Sequence, residues 1–501
     1  VTSRRAFDVL PALILLAAMM FPLRGGFTDD GFIHVQYARN LMTRGEYAFN
    51  AGETSFGTTS PLWVMALAVV ARPFGADESL VDAGKALSWL AALAAVLALH
   101  RALLALGASR RTAVCGALAF AADVWLVRWG ALGMESSLGA CTAALMVAAS
   151  RRAYDDRAAA AAFGAVVAIG ALVRPELYLA IPVYVAGALT RRPRPAAAVL
   201  LTAALTTAVL VGPWLAFAKW HIGSFFPNTA GAKSGGWVTE PVLFVRKLWA
   251  PAKIIAVAQL VAVLGMLADI AVSRRAAFVW TRGFRFAALW MLALPLAYVL
   301  ADIQILSRYL LLVTPAVCAG GWMSIESLLR ARARRVRAAV YAGAVLSALA
   351  ANGVAYARVV IPPSRAFSQD LQVNMAGLAR FLHDHAAPGS VVAAADIGYL
   401  AFYSGCRVLD LGGLVEPATG RLLTHYDYEE IVERGLYFDL PGYPRIDYVV
   451  DRERVAGRFD GEVIRGRRFE QVYLTTVRNL GIRKPGTYYY TLYRVTPGEA
   501  P

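Results

Sequence analysis

Long uncharged apolar runs recur through the first 356 residues of this chain, and they restrict its fold more than any other feature. As helices, runs of roughly 15–22 residues rise about 22–33 Å, close to the hydrocarbon thickness of a bilayer. Composition agrees: 58% of the residues are hydrophobic, 17% are charged, and mean hydropathy is +0.52. Soluble domains carry roughly 25% charged residues. The chain reads as a polytopic α-helical membrane protein with a soluble tail.

Where the charge sits decides what it means. The net +16 resembles that of a nucleic-acid binder, but residues 357–501 hold 17 basic and 17 acidic side chains and are neutral. The whole excess lies in residues 1–356, with 33 basic and 17 acidic side chains, mostly in short loops. Basic charge in the short loops of a membrane region marks their cytoplasmic side, so nucleic acid is excluded as a partner.

The same rule settles the topology. Val9–Leu23, behind Arg4 and Arg5, reads as an uncleaved first span. Pro61–Gly75 is apolar but rises only about 21 Å, too short to cross. Placing it in the outer interface puts Arg110-Arg111, Arg151-Arg152, Arg191-Arg192-Arg194, Arg274-Arg275 and Arg330–Arg337 in the cytoplasm with Arg4-Arg5. The other spans then fall near 86–106, 112–128, 136–149, 158–173, 177–189, 196–217, 254–272, 286–301, 308–326 and 338–356. That makes about eleven. The expected domains are a membrane module, 1–356, whose first outer loop (24–85) carries amphipathic helices, and an extracytoplasmic α/β domain, 357–501. In the tail, helices are expected at Gln369–His385 and Ile397–Ser404. Strands are expected at Val391–Asp396, Val408–Leu411, Tyr448–Asp451, Phe469–Arg478 and Thr487–Val495.

Familiar chemistries are missing from the sequence. The four cysteines form no CxxC, the six histidines form no HExxH, and neither a phosphate-binding P-loop nor a dinucleotide fingerprint occurs. His383-Asp384-His385 reads as a solvated helix end. The strongest local feature is Asp29-Asp30, just after the first span, because adjacent carboxylates at a membrane exit are costly unless solvated, paired or functional. If Gly31–Asn40 is helical, Asp30, His34 and Tyr37 share one face. The pair can cap that helix, supply a catalytic carboxylate, or do both.

Basic residues at the outer ends of spans oppose the topological rule and need a reason. They are Arg128, Arg174, Lys219, Lys233 and Arg308, with Arg39 and Arg44 in the first loop. Glu135 can answer Arg128, and Glu176 can answer Arg174. Convergence of several on one cavity would suit a phosphate leaving group. Phe226–Gly236, which includes Asn228, is a polar loop tip or a substrate gate.

Taken in order, these pieces resemble bacterial GT-C glycosyltransferases. The matching segments are Asp29-Asp30, Tyr37-Ala38-Arg39-Asn40, Phe49-Asn50-Ala51-Gly52-Glu53, Thr59-Ser60-Pro61-Leu62-Trp63, Gly133-Met134-Glu135-Ser136, Arg174-Pro175-Glu176, Pro227-Asn228-Thr229 and Arg308-Tyr309-Leu310. Asp396-Ile397-Gly398-Tyr399, Tyr403-Ser404-Gly405 and Asp410-Leu411-Gly412-Gly413-Leu414 extend the likeness into the tail. The sequence most resembles the actinobacterial terminal arabinofuranosyltransferase group. It is similar more distantly to protein O-mannosyltransferases and the lipid A aminoarabinose transferase.

The resemblance implies an inverting transferase in the bacterial cytoplasmic membrane with its active site outside. Such an enzyme takes a sugar from a polyprenyl-phosphate donor, such as decaprenyl-phosphate arabinofuranose, and passes it to an acceptor hydroxyl on an envelope glycan, lipid or protein. It implies Asp29 as the base, with Asp30 beside it. Arg174, Arg308, Lys233 and Arg39 are candidates for the donor phosphate, and His34, Tyr37, Glu135, Glu176 and Asn228 for substrate contact. The tail is shorter than in that group and shows no separate carbohydrate-binding module, which argues against a polysaccharide acceptor and against arabinofuranose itself. No cofactor is expected to be required, although adjacent carboxylates can hold Mg2+ or Mn2+. The competing readings are a flippase for lipid-linked sugars and a polymerase or ligase using diphosphate-linked oligosaccharides.

Overall fold

A computed structural model describes residues 7–191, 193–225, 227, 237–273, 284–478, 480 and 486–498. The chain forms two compact units. One comprises Val1–Arg24, Lys85–Trp214 and Ser234–Arg358; the other comprises Gly25–Gly84, Leu215–Lys233 and Val359–Pro501. The expected boundary at 356/357 lies two residues from the observed one at 358/359. The first outer loop, however, belongs with the tail rather than with the membrane module.

The membrane unit is helical, and each of the expected spans coincides with a helix or a broken pair of helices. Four described helices are long and apolar enough to cross a bilayer: Glu78–Ala105, Ala197–Ile222, Pro241–Val272 and the apolar part of Arg334–His385. A fifth is Arg110–Ala121 with Val124–Ala131, if this pair, bent by 56°, counts as one span. Among the described residues of this unit, five shorter apolar helices accompany them.

That bend frees backbone groups which lipid cannot satisfy, so side chains must. Asp123, fully buried at the break, accepts from the amides of Trp125 (2.9 Å) and Leu126 (3.1 Å) through Oδ1. Its Oδ2 accepts from Gln259 Nε2 at 2.7 Å, and Gln259 sits at a non-helical kink of Pro241–Ser273. Asn352 Oδ1 accepts from the Val124 amide at 3.0 Å. Asp123 is therefore a structural carboxylate that joins breaks in two helices. Replacing it with Ala is expected to cost about 1–3 kcal/mol, seen as a lower unfolding temperature in detergent.

The second unit joins first loop and tail. Its described first-loop helices are α1 (Asp29–Arg44) and α2 (Pro61–Ala71). With 11 residues, α2 rises about 16 Å, too little to span. The tail sheet holds β1 (Val391–Ala394), β2 (Arg407–Asp410), β3 (Tyr448–Glu453), β4 (Val463–Ile464), β5 (Arg467–Arg478) and β6 (Thr487–Pro497), in the order β2-β1-β3-β6-β5-β4. The β1–β2 and β1–β3 pairs are parallel, and the rest are antiparallel. Between β1 and β2 runs α3 (Gly398–Ser404). A core of Val391, Leu409, Ile431, Tyr437, Phe469 and Tyr493 packs against the sheet.

The expected tail elements are present. Short helices at Pro417–Leu422 and Tyr428–Glu433 and the two-residue β4 carry too little periodicity to be seen in the sequence.

The first loop is sewn to this sheet. The Asn50 side chain mimics a strand on the free edge of β2, accepting from Val408 N (3.0 Å) and donating to Val408 O (2.9 Å). Glu53 pairs with Arg407 beside it. Arg39 donates to Phe402 O at 2.6 Å and stacks its guanidinium on that ring.

Candidate active site

The acidic centre belongs to the first-loop and tail unit. Helix α1 is capped by Thr28, whose Oγ1 accepts from Gly31 N at 3.0 Å, so the expectation that the aspartates cap it is corrected. Asp29 instead caps another helix. Its Oδ1 accepts from Tyr399 N (2.8 Å) and its Oδ2 from Gly398 N (3.2 Å), at the start of α3. Only glycine permits this approach, because a Cβ at position 398 would collide with the Asp29 carbonyl oxygen.

Burial and the nearby carboxylates of Asp396 and Asp30 push the Asp29 carboxyl up to about 7, outweighing the two amide bonds that favour its charge. A carboxylate has about four acceptor positions. Two amides leave room for a hydroxyl, and Asp29 is only partly buried.

Behind Asp29, the Asp396 Oδ2 accepts from Arg452 NH1 (2.7 Å) and Tyr490 OH (2.5 Å). Arg452 and Tyr490 are register partners on β3 and β6. The other first-loop candidates brace the loop. His34 is buried, with Nδ1 2.7 Å from Thr58 Oγ1. Tyr37, also buried, meets Ser55 Oγ at 2.7 Å and accepts from Gly57 N at 2.8 Å. Arg39 is committed to α3, as above.

The cationic centre belongs to the membrane unit. Arg174 is 4% exposed and held by two carboxylates. It donates to Glu135 Oε1 (2.7 Å) and, in a fork, to Glu176 (2.5 and 3.2 Å). Glu135 thus answers Arg174 rather than Arg128. Two carboxylates thus counter Arg174 and tie it into an ion cluster.

Arg308 and Arg128 meet at another residue of this unit, Trp129. Both guanidinia lie against the indole of Trp129, at 5.5 and 4.8 Å from the ring centroid, within electrostatic reach of each other. The indole Nε1 donates to Ser307 Oγ at 2.9 Å. Arg128 Nε has no hydrogen-bond partner among the described residues. Two neighbouring guanidinium groups can together receive an anion through charge-assisted hydrogen bonds. Lys233 and Asn228 lie outside the described residues. Among the described residues no group of three or more His, Cys, Asp or Glu side chains is placed to hold a metal ion.

A family model described as a domain of unknown function (DUF8728) matches residues 365–493. No curated protein matches the sequence. Among solved structures, the chain is similar to ArnT from Cupriavidus metallidurans bound to undecaprenyl phosphate, with 12% identity over 98% of both chains and a TM-score of 0.56. It is also similar to the oligosaccharyltransferase AglB from Archaeoglobus fulgidus in complex with an inhibitory peptide and a dolichol-phosphate. There identity is 12% over 90% of this chain and 70% of AglB, with a TM-score of 0.57. The fold is that of the GT-C membrane enzymes.

Proposed function

We propose that the protein is an inverting glycosyltransferase. It moves a single sugar from a polyprenyl-phosphate donor to an acceptor hydroxyl of an envelope glycan, lipid or protein, at the outer face of the bacterial cytoplasmic membrane. The observation that carries this reading is the convergence of Arg128 and Arg308 on Trp129, in a fold whose solved representatives include ArnT with undecaprenyl phosphate.

Asp29 takes the acceptor proton while the acceptor oxygen bonds to the anomeric carbon from the side opposite the phosphate. The bond from that carbon to the phosphate oxygen breaks, which inverts the centre. Polyprenyl phosphate leaves already ionised, so the arginine pair stabilises it without a general acid. A base poised near 7 is well matched to neutral pH. No divalent cation is needed in this scheme, since the arginines meet the developing charge. Arabinofuranose is the first sugar to test, on the likeness of the motifs.

Native mass spectrometry of the purified full chain and of Asp29→Asn tests the reading. The variant is expected to retain a polyprenyl-phosphate sugar that wild type turns over, and the trapped mass identifies the sugar. If neither protein holds such a lipid, even after decaprenyl phosphate is added, the transferase reading falls and a flippase or scaffold takes its place.

A further inference from the structure

The mechanism above leaves Asp396, Arg452 and Tyr490 without a role, although they stand directly behind the proposed base. All three belong to the tail, whereas Asp29 belongs to the first loop. Resting on the reading of Asp29 as the base, we propose that the tail is its positioning apparatus: the Gly398 and Tyr399 amides fix its carboxylate, and Asp396, held by Arg452 and Tyr490, sets the charge beside it.

The geometry is specific. Asp396 lies two residues before the amides that grip Asp29, on the turn leaving β1, so one short segment both anchors the base and places a like charge next to it. Arg452 and Tyr490 reach the same Asp396 oxygen from adjacent strands in direct register. The Arg452 guanidinium rests on the ring of Tyr428, which fixes its direction.

Few other charges face Asp29. Its own helix brings Asp30, and α3 brings Tyr399 and Tyr403, of which Tyr403 is hydrogen-bonded to Glu78. Helix α2, which also packs on α1, carries no titratable residue. Asp396 is therefore the charge that the protein can adjust. Neutralised by Arg452, it burdens Asp29 moderately; unneutralised, it would keep Asp29 protonated and inactive. A rearrangement within the tail sheet that loosened the Arg452–Asp396 pair would switch the base off.

The test reads the Asp29 proton directly, without substrate. Full-length protein in lipid nanodiscs is titrated by infrared difference spectroscopy, and the carboxylic C=O band of Asp29 is assigned by its loss in Asp29→Asn. The wild-type midpoint is expected near 7. Asp396→Asn keeps the shape and removes the charge, so the midpoint should move to lower pH. Arg452→Gln exposes Asp29 to the full Asp396 charge, so the midpoint should move to higher pH.

A merely structural role would not give opposite shifts, and a midpoint unmoved in both variants overturns the proposal. If Asp396→Asn does not fold, Arg452→Gln decides alone. Failure of the underlying reading looks different: the midpoints shift as stated, yet Asp29→Asn still transfers sugar. Loss of transfer in Asp29→Asn with unmoved midpoints leaves the base in place and removes the tail's part.

Discussion

Replacing Asp29 with Asn is expected to lower sugar transfer about 10^2- to 10^4-fold, the usual contribution of a positioned general base, while donor binding persists. The substitution separates the two roles that the structure gives this carboxylate. As a cap, Asp29 bonds two amides of α3. Asn can keep the bond to Tyr399 N but turns an NH2 toward Gly398 N, a loss of about 1–2 kcal/mol. If capping were its whole purpose, turnover per folded molecule would survive.

Asp29→Glu sharpens the contrast, because it keeps the charge and displaces it. Transfer is expected to fall about 100-fold, in line with the sensitivity of catalysis to displacements near 1 Å. The pH profile carries the same signature. The base acts deprotonated, so wild-type activity should rise with pH and flatten above about 7. Two pH units below the midpoint it should stand about a hundredfold under its plateau. A flat profile through neutrality would sink the assignment.

The second large effect concerns the arginines at Trp129. Arg128→Gln and Arg308→Gln are each expected to weaken decaprenyl phosphate binding about tenfold to a hundredfold, the range for one charge-assisted hydrogen bond. The loss is expected in lipid affinity first, with a smaller change in the unfolding temperature without ligand. Arg174→Gln should behave in the reverse way. It would leave the buried Glu135 and the partly buried Glu176 without their cation, a loss of about 3–5 kcal/mol that appears as instability before any binding defect. Paired measurements of lipid affinity and unfolding temperature check all three. A drop in stability for the first two variants, matching their drop in affinity, would make them structural as well.

Much of this was legible in the sequence where a signal is local or periodic. Apolar runs marked the helices, loop arginines oriented them, and alternation marked the tail strands. Asp29 stood out because two acids beside a span need a reason. What stayed hidden was partnership across long chain distances. Nothing near Glu135 indicates that it answers Arg174 instead of Arg128, since the choice depends on how Ser136–Ser150 and Arg157–Val173 pack. Asp123 lies inside the apolar run near 112–128, and only its bonds to Gln259 and the amides of Trp125 and Leu126 reveal a cap.

The first-loop motifs were visible as motifs, but their purpose was not. Asn40, Asn50, Glu53 and Arg39 resemble substrate ligands by residue type. They hold the loop's own backbone, the edge of β2 and, for Arg39, a carbonyl of α3. Asp396 sits within a tail motif, yet its nearness to Asp29, 367 residues earlier, has no local trace.

The Asn50 side chain that lies along β2 has a consequence for how such a protein can be exchanged or shortened. Residues 365–493 are recognisable by themselves as a domain, but the outermost strand of that domain is finished by a side chain from the start of the polypeptide. The inheritable module is discontinuous: residues 25–84 and 359–501 belong to one compact unit, together with 215–233. A hybrid that borrows only the C-terminal segment from a relative would inherit an unfinished sheet and a base with no anchor, whereas one that borrows both segments would keep each intact.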